Sequence, residues 1–304
     1  MYTAKQGTEP KKRKTNPPET LTVTEGCGLL EFLLQSLSNK SRNHVKSLLT
    51  HREVLVDGQI ITQFDYQLRA GQTIQLAPSL NRGQNQKGIL DILYEDNDLI
   101  VINKPAGLLS IATDQEKENT AYHLLTDYVK QTNPKGRVFA VHRLDRDTSG
   151  VFMVAKNEEI KLALQNNWAD LVSVRGYIAV VEGKLNTKSG TIRSWLKETK
   201  TLLMYSSDKV GDGQEAITDY EVIKENAEYS LLKIQLKTGR KNQIRVHMKD
   251  IGHPVVGDKK YGAKTNPLKR LGLHAYMLEL EHPFSHERLC FETEMPKQFK
   301  ALMK

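Results

Sequence analysis

Cysteine is almost missing from this sequence: Cys27 and Cys290 are its only two among 304 residues. They are far apart and form no CxxC pair, so no disulfide framework or thiolate metal cluster is expected, and a reducing cytoplasm fits best. No apolar run approaches the ~20 residues that a membrane helix needs. The amino-terminal segment is polar and basic without an apolar core, so no secretory leader is expected either. Also missing are a Walker loop, a dinucleotide glycine fingerprint and an HExxH pair, the usual signs of nucleotide, redox or zinc chemistry. His282 and His286 lie four apart, but Pro283 between them favours a turn between strands over a helical metal pair. Aromatic content is 7%, which is meagre for a sugar-binding cleft.

Positive charge is what the chain has in excess. Lys and Arg number 44 against 36 Asp and Glu, a formal net charge of +8, which favours a polyanionic partner through phosphate contacts. The first block of it, Lys11-Lys12-Arg13-Lys14 followed by Asn16-Pro17-Pro18, has almost no large apolar side chains. Residues 1–20 therefore read as a disordered basic tail.

Periodicity begins after residue 28. Leu29, Leu30, Leu33, Leu34 and Leu37 recur at helical spacing. Ser41 suits the cap of a second helix that turns Val45, Leu48 and Leu49 inward and presents Arg42 and Lys46, four apart, on its outer face. A strand at Val54 to Val56, the hairpin turn Asp57-Gly58, Ile60-Ile61, and a strand at Thr73 to Leu76 after Gly71 complete the pattern. That order, with Ser41-Arg42, Val54-Leu55-Val56-Asp57-Gly58 and Ala70-Gly71-Gln72-Thr73-Ile74, resembles the RNA-binding module named after ribosomal protein S-four. The resemblance covers residues 21–77 and implies RNA contacts from Arg42 and Lys46. Residues 78–88 are polar and aperiodic, a linker.

Residues 89–304 mix β-rich and helical segments without a strict βαβ rhythm, so an α+β domain is expected, built on a mixed, mainly antiparallel sheet with flanking helices. Strand candidates are Leu99 to Ile102, Val151 to Val154, Tyr177 to Val181 and Leu231 to Ile234; helix candidates are Thr120 to Val129 and Glu158 to Trp168. Three polar segments interrupt them: His142-Arg143-Leu144-Asp145-Arg146-Asp147-Thr148-Ser149-Gly150, Arg175-Gly176-Tyr177, and Thr238 to His247, which continues to Gly257-Asp258 and Tyr261. Singly, they read as a polar loop, a strand with a core tyrosine, and a basic strand with a turn. A carboxylate among arginines is ordinarily a structural ion pair.

Together, the HRLDxxTSG run, the preceding Asn103-Lys104-Pro105-Ala106-Gly107 and the third segment resemble the RluA-type family of pseudouridine synthases over essentially all of 89–304. With the S-four-like module, the resemblance is to the branch acting on large-subunit ribosomal RNA; the same chemistry on transfer RNA is the alternative. The implied reaction breaks the N1 to ribose bond of uridine, turns the base and rejoins it through C5. It gains no atom and changes no oxidation state, so no cofactor or metal is expected. The resemblance implies Asp145 as the carboxylate that acts on the ribose, by attacking C1′ or abstracting a ribose proton. It implies Arg245 as its ion partner and Tyr177 as the residue that stacks on the base and takes part in the loss of the C5 proton. Arg143 would support the flipped base, with His142, Lys104, Arg240 and Lys241 as further substrate contacts. Lys241-Asn242 departs from the family's Thr-His or Ser-His, and Arg175-Gly176 from its usual lysine, differences that bear on substrate preference. A glycoside hydrolase using Asp145 and Asp147 and a noncatalytic RNA-binding or ribosome-assembly factor are the competing readings. A monomer is expected.

Overall fold

The computed structural model describes residues 19–37, 45, 48–49, 54–61, 63–76, 90–114 and 116–304. The chain divides into two compact units, Met1–Gly88 and Ile89–Lys304.

The first unit contains β1 (Glu19–Thr22), α1 (Leu29–Ser36), β2 (Val54–Val56), β3 (Gln59–Ile60) and β4 (Thr73–Leu76). Its antiparallel sheet runs β1-β4-β2-β3. Leu29 and Leu33, one helical turn apart, are fully buried with Val45, Leu49, Val54 and Ile74. The hairpin turn has Asp57 at φ 48° and Gly58 at φ 80°, the two left-handed residues that match strand twist. The Asp57 carboxylate also accepts the Thr73 backbone N–H and the Gln72 amide, tying the turn to β4. Glu19 and Thr20, read from sequence as the end of the tail, are instead strand residues paired with Leu76 and Gln75. Backbone hydrogen bonds hold them, and these leave little trace in side-chain composition. Ser41, Arg42, Lys46 and the 78–88 linker lie outside the described residues.

The second unit holds β5 (Asp91–Glu95), β6 (Leu99–Lys104), α2 (Ala121–Thr132), β7 (Phe139–Ala140), β8 (Ser149–Ala155), α3 (Glu158–Asn166) and α4 (Trp168–Leu171). Then come β9 (Val172–Glu182), β10 (Ser189–Glu198), β11 (Met204–Ser207), β12 (Gln214–Glu225), β13 (Tyr229–Leu236), α5 (Gln243–Asp250), β14 (Leu273–Glu281), β15 (Arg288–Glu292) and α6 (Lys297–Leu302). One eleven-stranded sheet runs β11-β10-β12-β13-β9-β14-β8-β6-β5, with β15 beside β14 and β7 beside β8. Among the described pairs only β14 and β8 run parallel, so the sheet is mixed and mainly antiparallel, as the sequence predicts. His282 and His286 fall in the turn between β14 and β15, also as predicted.

The β14–β8 seam sets up the site. Gly150 has φ 115°, and a Cβ there would stand 2.0 Å from the Ala275 carbonyl oxygen, so only glycine permits this approach. Across the seam Ala275 is opposite both Gly150 and Tyr177. The register thereby brings Tyr177 on β9 close to the loop that leads into β8. No described helix is long and apolar enough to cross a membrane.

Candidate active site

The loop between β7 and β8 carries Asp145 and is held from both sides. Leu144 is 5% exposed and packs with Leu108, Leu125 and Phe152, while its backbone exchanges two hydrogen bonds with the Ser110 hydroxyl, at 2.8 and 2.9 Å. The Arg146 carbonyl accepts from Gly107 N–H at 2.9 Å and from the Lys104 ammonium at 3.1 Å. Lys104 also donates to the carbonyls of Pro105 and Leu108. With Leu144 buried and Arg146 tethered, Asp145 is turned outward.

Opposite it stands α5. Thr238 to His247 reads as a strand because Ile244 and Val246 alternate, yet Gln243–Asp250 is helical. Ile244 and Met248, four apart, enter one core cluster, and the helical spacing prevails over the β-branched alternation. Gln243, 2% exposed, fixes the helix start. Its Oε1 accepts from the Thr238 hydroxyl and Arg240 N–H, and its Nε2 donates to the Ile217 carbonyl and the Thr218 hydroxyl. Asn242 precedes the helix at φ 55°, a left-handed conformation that asparagine tolerates better than most side chains.

The Arg245 guanidinium joins two carboxylates. Nε and Nη2 donate to Asp258 at 2.6 and 2.8 Å, and Nη1 donates to Asp145 at 3.1 Å and to Asn242 Oδ1 at 3.2 Å. It lies 4.9 Å from the centroid of the Tyr261 ring, whose hydroxyl accepts from Asn242. Burial opposes its charge, but the Asp258 hydrogen bonds and charge, joined by Asp145, outweigh it and raise the Arg245 pKa. The Asp258 side chain is 1% exposed and the Asp145 side chain 26%, so one carboxylate is anchored and the other opens outward.

Asp145, Arg245, Tyr177, Arg143 and Arg240 line one cavity of about 90 Å³. Tyr177 is half-buried at its wall. Burial, partly offset by Arg175 and reinforced by Asp145, pushes its phenol up to about 12, so it is protonated at neutral pH. Arg143 is exposed. His142 accepts the Met153 N–H at 3.0 Å through Nε2, and its ring lies 5.3 Å from both Phe152 and Trp168. Burial, and then the Arg175 charge, lower it to about 4, leaving it neutral. Arg240 donates to the Glu215 carbonyl, and Lys241 is hydrogen-bonded to Glu198. Lys104 requires a correction: it is 0% exposed with its ammonium among three carbonyls, so it braces the Asp145 loop from beneath rather than touching substrate. Arg42 and Lys46 lie outside the described residues.

The model of the RNA pseudouridylate synthase family matches residues 98–250, half of the chain. The chain belongs to this family. It is thus an isomerase, an RNA pseudouridine synthase, and residues 27–74 match the S4 domain. An uncharacterized RNA pseudouridine synthase of Bacillus subtilis, YhcT, is 37% identical over 71% of this chain and 72% of its own. Ribosomal large subunit pseudouridine synthase D of Salmonella typhimurium is 31% identical over 93% of both chains. Among solved structures, human RNA pseudouridylate synthase domain containing 4 superposes with a TM-score of 0.59 at 25% identity, covering 72% of this chain and 94% of its own.

Three residues of this synthase's site carried no assigned role in the sequence reading. Asp258 stands in the quoted Gly257-Asp258, but nothing local marks it as the anchor of an arginine thirteen positions earlier. Asn242 registered only as a departure from the family pattern. Gln243 registered only as a neighbour of Arg245. Each acts through a contact made in three dimensions, so composition and spacing give no signal for it.

Proposed function

We propose that this enzyme isomerises specific uridines in large-subunit ribosomal RNA, with Asp145 acting on the ribose of a flipped-out nucleotide. The observation that carries this reading is the 3.1 Å pair of Asp145 with a doubly anchored Arg245, in a cavity whose wall includes Tyr177. The N1–C1′ bond breaks, the uracil turns, a C5–C1′ bond forms, and the proton leaving C5 is balanced by one gained at N1. Asp145 either bonds transiently to C1′ or removes and returns a ribose proton. Tyr177, as a neutral phenol, packs against the base and can donate a hydrogen bond, but is not a standing base for the C5 proton. Arg143 makes no hydrogen bond or ion pair among the described residues, which suits a side chain that moves into the space a flipped base vacates. The large-subunit target rests on relatives such as the synthase D of Salmonella typhimurium and on the S4 match.

Pseudouridine mapping in ribosomal and transfer RNA, with and without the gene, tests the target; complementation with Asp145→Asn tests the chemistry. Loss of one or more ribosomal sites is expected on deletion. Asp145→Asn should restore none of them, with turnover reduced at least ~10³-fold and RNA affinity within about twofold. Sites lost from transfer RNA alone would overturn the target, and turnover by Asp145→Asn would overturn the mechanism.

A further inference from the structure

Beside the reaction cavity lies a larger one of about 590 Å³, which shares Arg143, Tyr177 and Arg240 with it. Its charge is one-sided: Arg143, Arg175, Lys237 and Arg240 line it and no Asp or Glu does. Lys237 is answered by Asp219 at 3.6 Å, but the three arginines form no ion pair among the described residues. Arg175 uses Nη2 on the Lys237 carbonyl at 2.6 Å, and Arg240 uses Nε on the Glu215 carbonyl at 2.9 Å. Their other guanidinium donors find no acceptor among the described residues. The Arg175 guanidinium lies close over Gly239, where a Cβ would be 2.9 Å from Nη1. Burial, and more weakly the neighbouring Arg240 charge, hold Arg175 below its ordinary range, although Tyr177 works the other way. Clustered guanidiniums with spare donors and no carboxylate are a site for a phosphate.

The same cavity has a stacking surface and a polar edge. Trp168 is half-buried, packed on the neutral His142 ring at 5.3 Å, and its indole N–H has no partner among the described residues. Asn166 is exposed and its amide makes no hydrogen bond there, while Gln165 donates to the Ala140 carbonyl and keeps its own amide oxygen free. Phosphate-binding forks, an aromatic face and amide groups that match base edges are the components of a single-nucleotide site.

We propose that this cavity is a second nucleotide site, taking the nucleotide that adjoins the target uridine, with its phosphate on Arg175 and Arg240 and its base against Trp168. Asn166 and Gln165 read the base edge, so the site selects sequence next to the modified position. The inference rests on the reading of the chain as a synthase that flips a uridine out of RNA. It also gives a purpose to Arg175, the residue at which this chain departs from the family's lysine: a planar fork can hold a phosphate and lie against a base at once.

The chain has two tryptophans, so Trp195→Phe leaves Trp168 as the only indole reporter. Short RNA oligonucleotides with one central uridine are titrated into this variant of the full chain, with an abasic residue walked through each position. Quenching of Trp168 should depend on the base at one position adjoining the uridine and not on more distant ones. Arg175→Gln should raise Kd roughly tenfold and reduce the salt slope by about one. Asn166→Ala, at an exposed and unbonded position, should flatten the preference among bases at that position without changing the unfolding midpoint. Trp168→Phe should retain most affinity and Trp168→Ala lose roughly tenfold. Quenching indifferent to every abasic position, or Trp168→Ala and Asn166→Ala that bind all oligonucleotides like wild type, would overturn the second site. Position-specific quenching in a chain that converts no uridine would sustain this site while overturning the proposed function.

Discussion

The floor and the rim of the site treat positive charge in opposite ways. On the floor, Arg245 is gripped at two points by Asp258 and rests on Tyr261, and Lys104 is enclosed by three carbonyls. At the rim, Arg143 has no such partner among the described residues, and the bonds that Arg175 and Arg240 make there take only part of their donors to backbone carbonyls. A buried charge must be fully paired to be tolerated, so the floor cations are fixed and serve geometry. An exposed cation such as Arg143 or Arg240 costs little to leave unpaired, and half-buried Arg175 keeps part of its fork free at a greater desolvation cost. On the proposed reading, the rim therefore holds donors for a substrate that brings its own negative charge. Asp145 stands where the two meet, fixed by the floor through Arg245 and open to the rim.

Breaking the floor should have the largest effect. Asp258→Asn leaves a buried guanidinium short of its counter-charge and should cost about 3–5 kcal/mol of stability, read as a lower urea midpoint. At temperatures where the variant is folded, kcat should fall far more than KM changes, because Asp145 loses its aligned partner. An unchanged midpoint would show that Arg245 needs no anchor. Lys104→Met should cost at least ~2 kcal/mol, since it strips buried carbonyls of a donor. Burial, opposed more weakly by Asp147, lowers Lys104 to about 8. Below that pH the ammonium has three N–H donors for three carbonyls, and above it the amine has two. Wild-type kcat should therefore decline as pH rises through about 8, and Lys104→Met should lack that limb.

Acid probes the polar centres within the sheet. His247 and His274 are buried and hydrogen-bonded to Ser194, Thr218, Ser149 and Thr293, and burial lowers each to about 4. Their unfolded value is near 6.5, so between about 6.5 and 4 the unfolded chain binds protons that the folded chain refuses. Stability should fall across that window, by on the order of 1–3 kcal/mol for each histidine, and level off below it. A urea midpoint flat from pH 7 to 4 would contradict this. The smallest effect on folding belongs to the rim: Arg143→Ala should change stability by less than about 0.5 kcal/mol while lowering turnover and the salt slope of RNA binding by about one. If Arg143→Ala unfolds the chain as readily as Asp258→Asn, floor and rim are not distinct.

Much of this was legible in residue order. Leu29 and Leu33, Asp57-Gly58, and the apolar runs that became β6, β8, β9 and β13 carry their structure locally, because helix and strand periods are properties of neighbouring side chains. The HRLDxxTSG run and Gln243-Ile244-Arg245 marked the two segments that meet at Asp145 and Arg245. Where local signals conflicted, the reading failed. Ile244 and Val246 alternate like a strand but ride on a helix, and Glu19 pairs with Leu76 in β4.

What sequence by itself determined is the presence of a small unit that matches the S4 domain and a larger α+β unit, and the run that holds Asp145, since both are written in contiguous residues. Tertiary structure alone decided that Lys104 lies beneath the loop, that Asp258 anchors Arg245, and that Arg175, Arg240 and Trp168 surround one cavity. Burial and pairing are relations between residues a hundred or more positions apart, as with Asp145 and Arg245 and Ser149 and His274. Only the assembled sheet, with Gly150 pressed on Ala275, brings such residues within reach of one another.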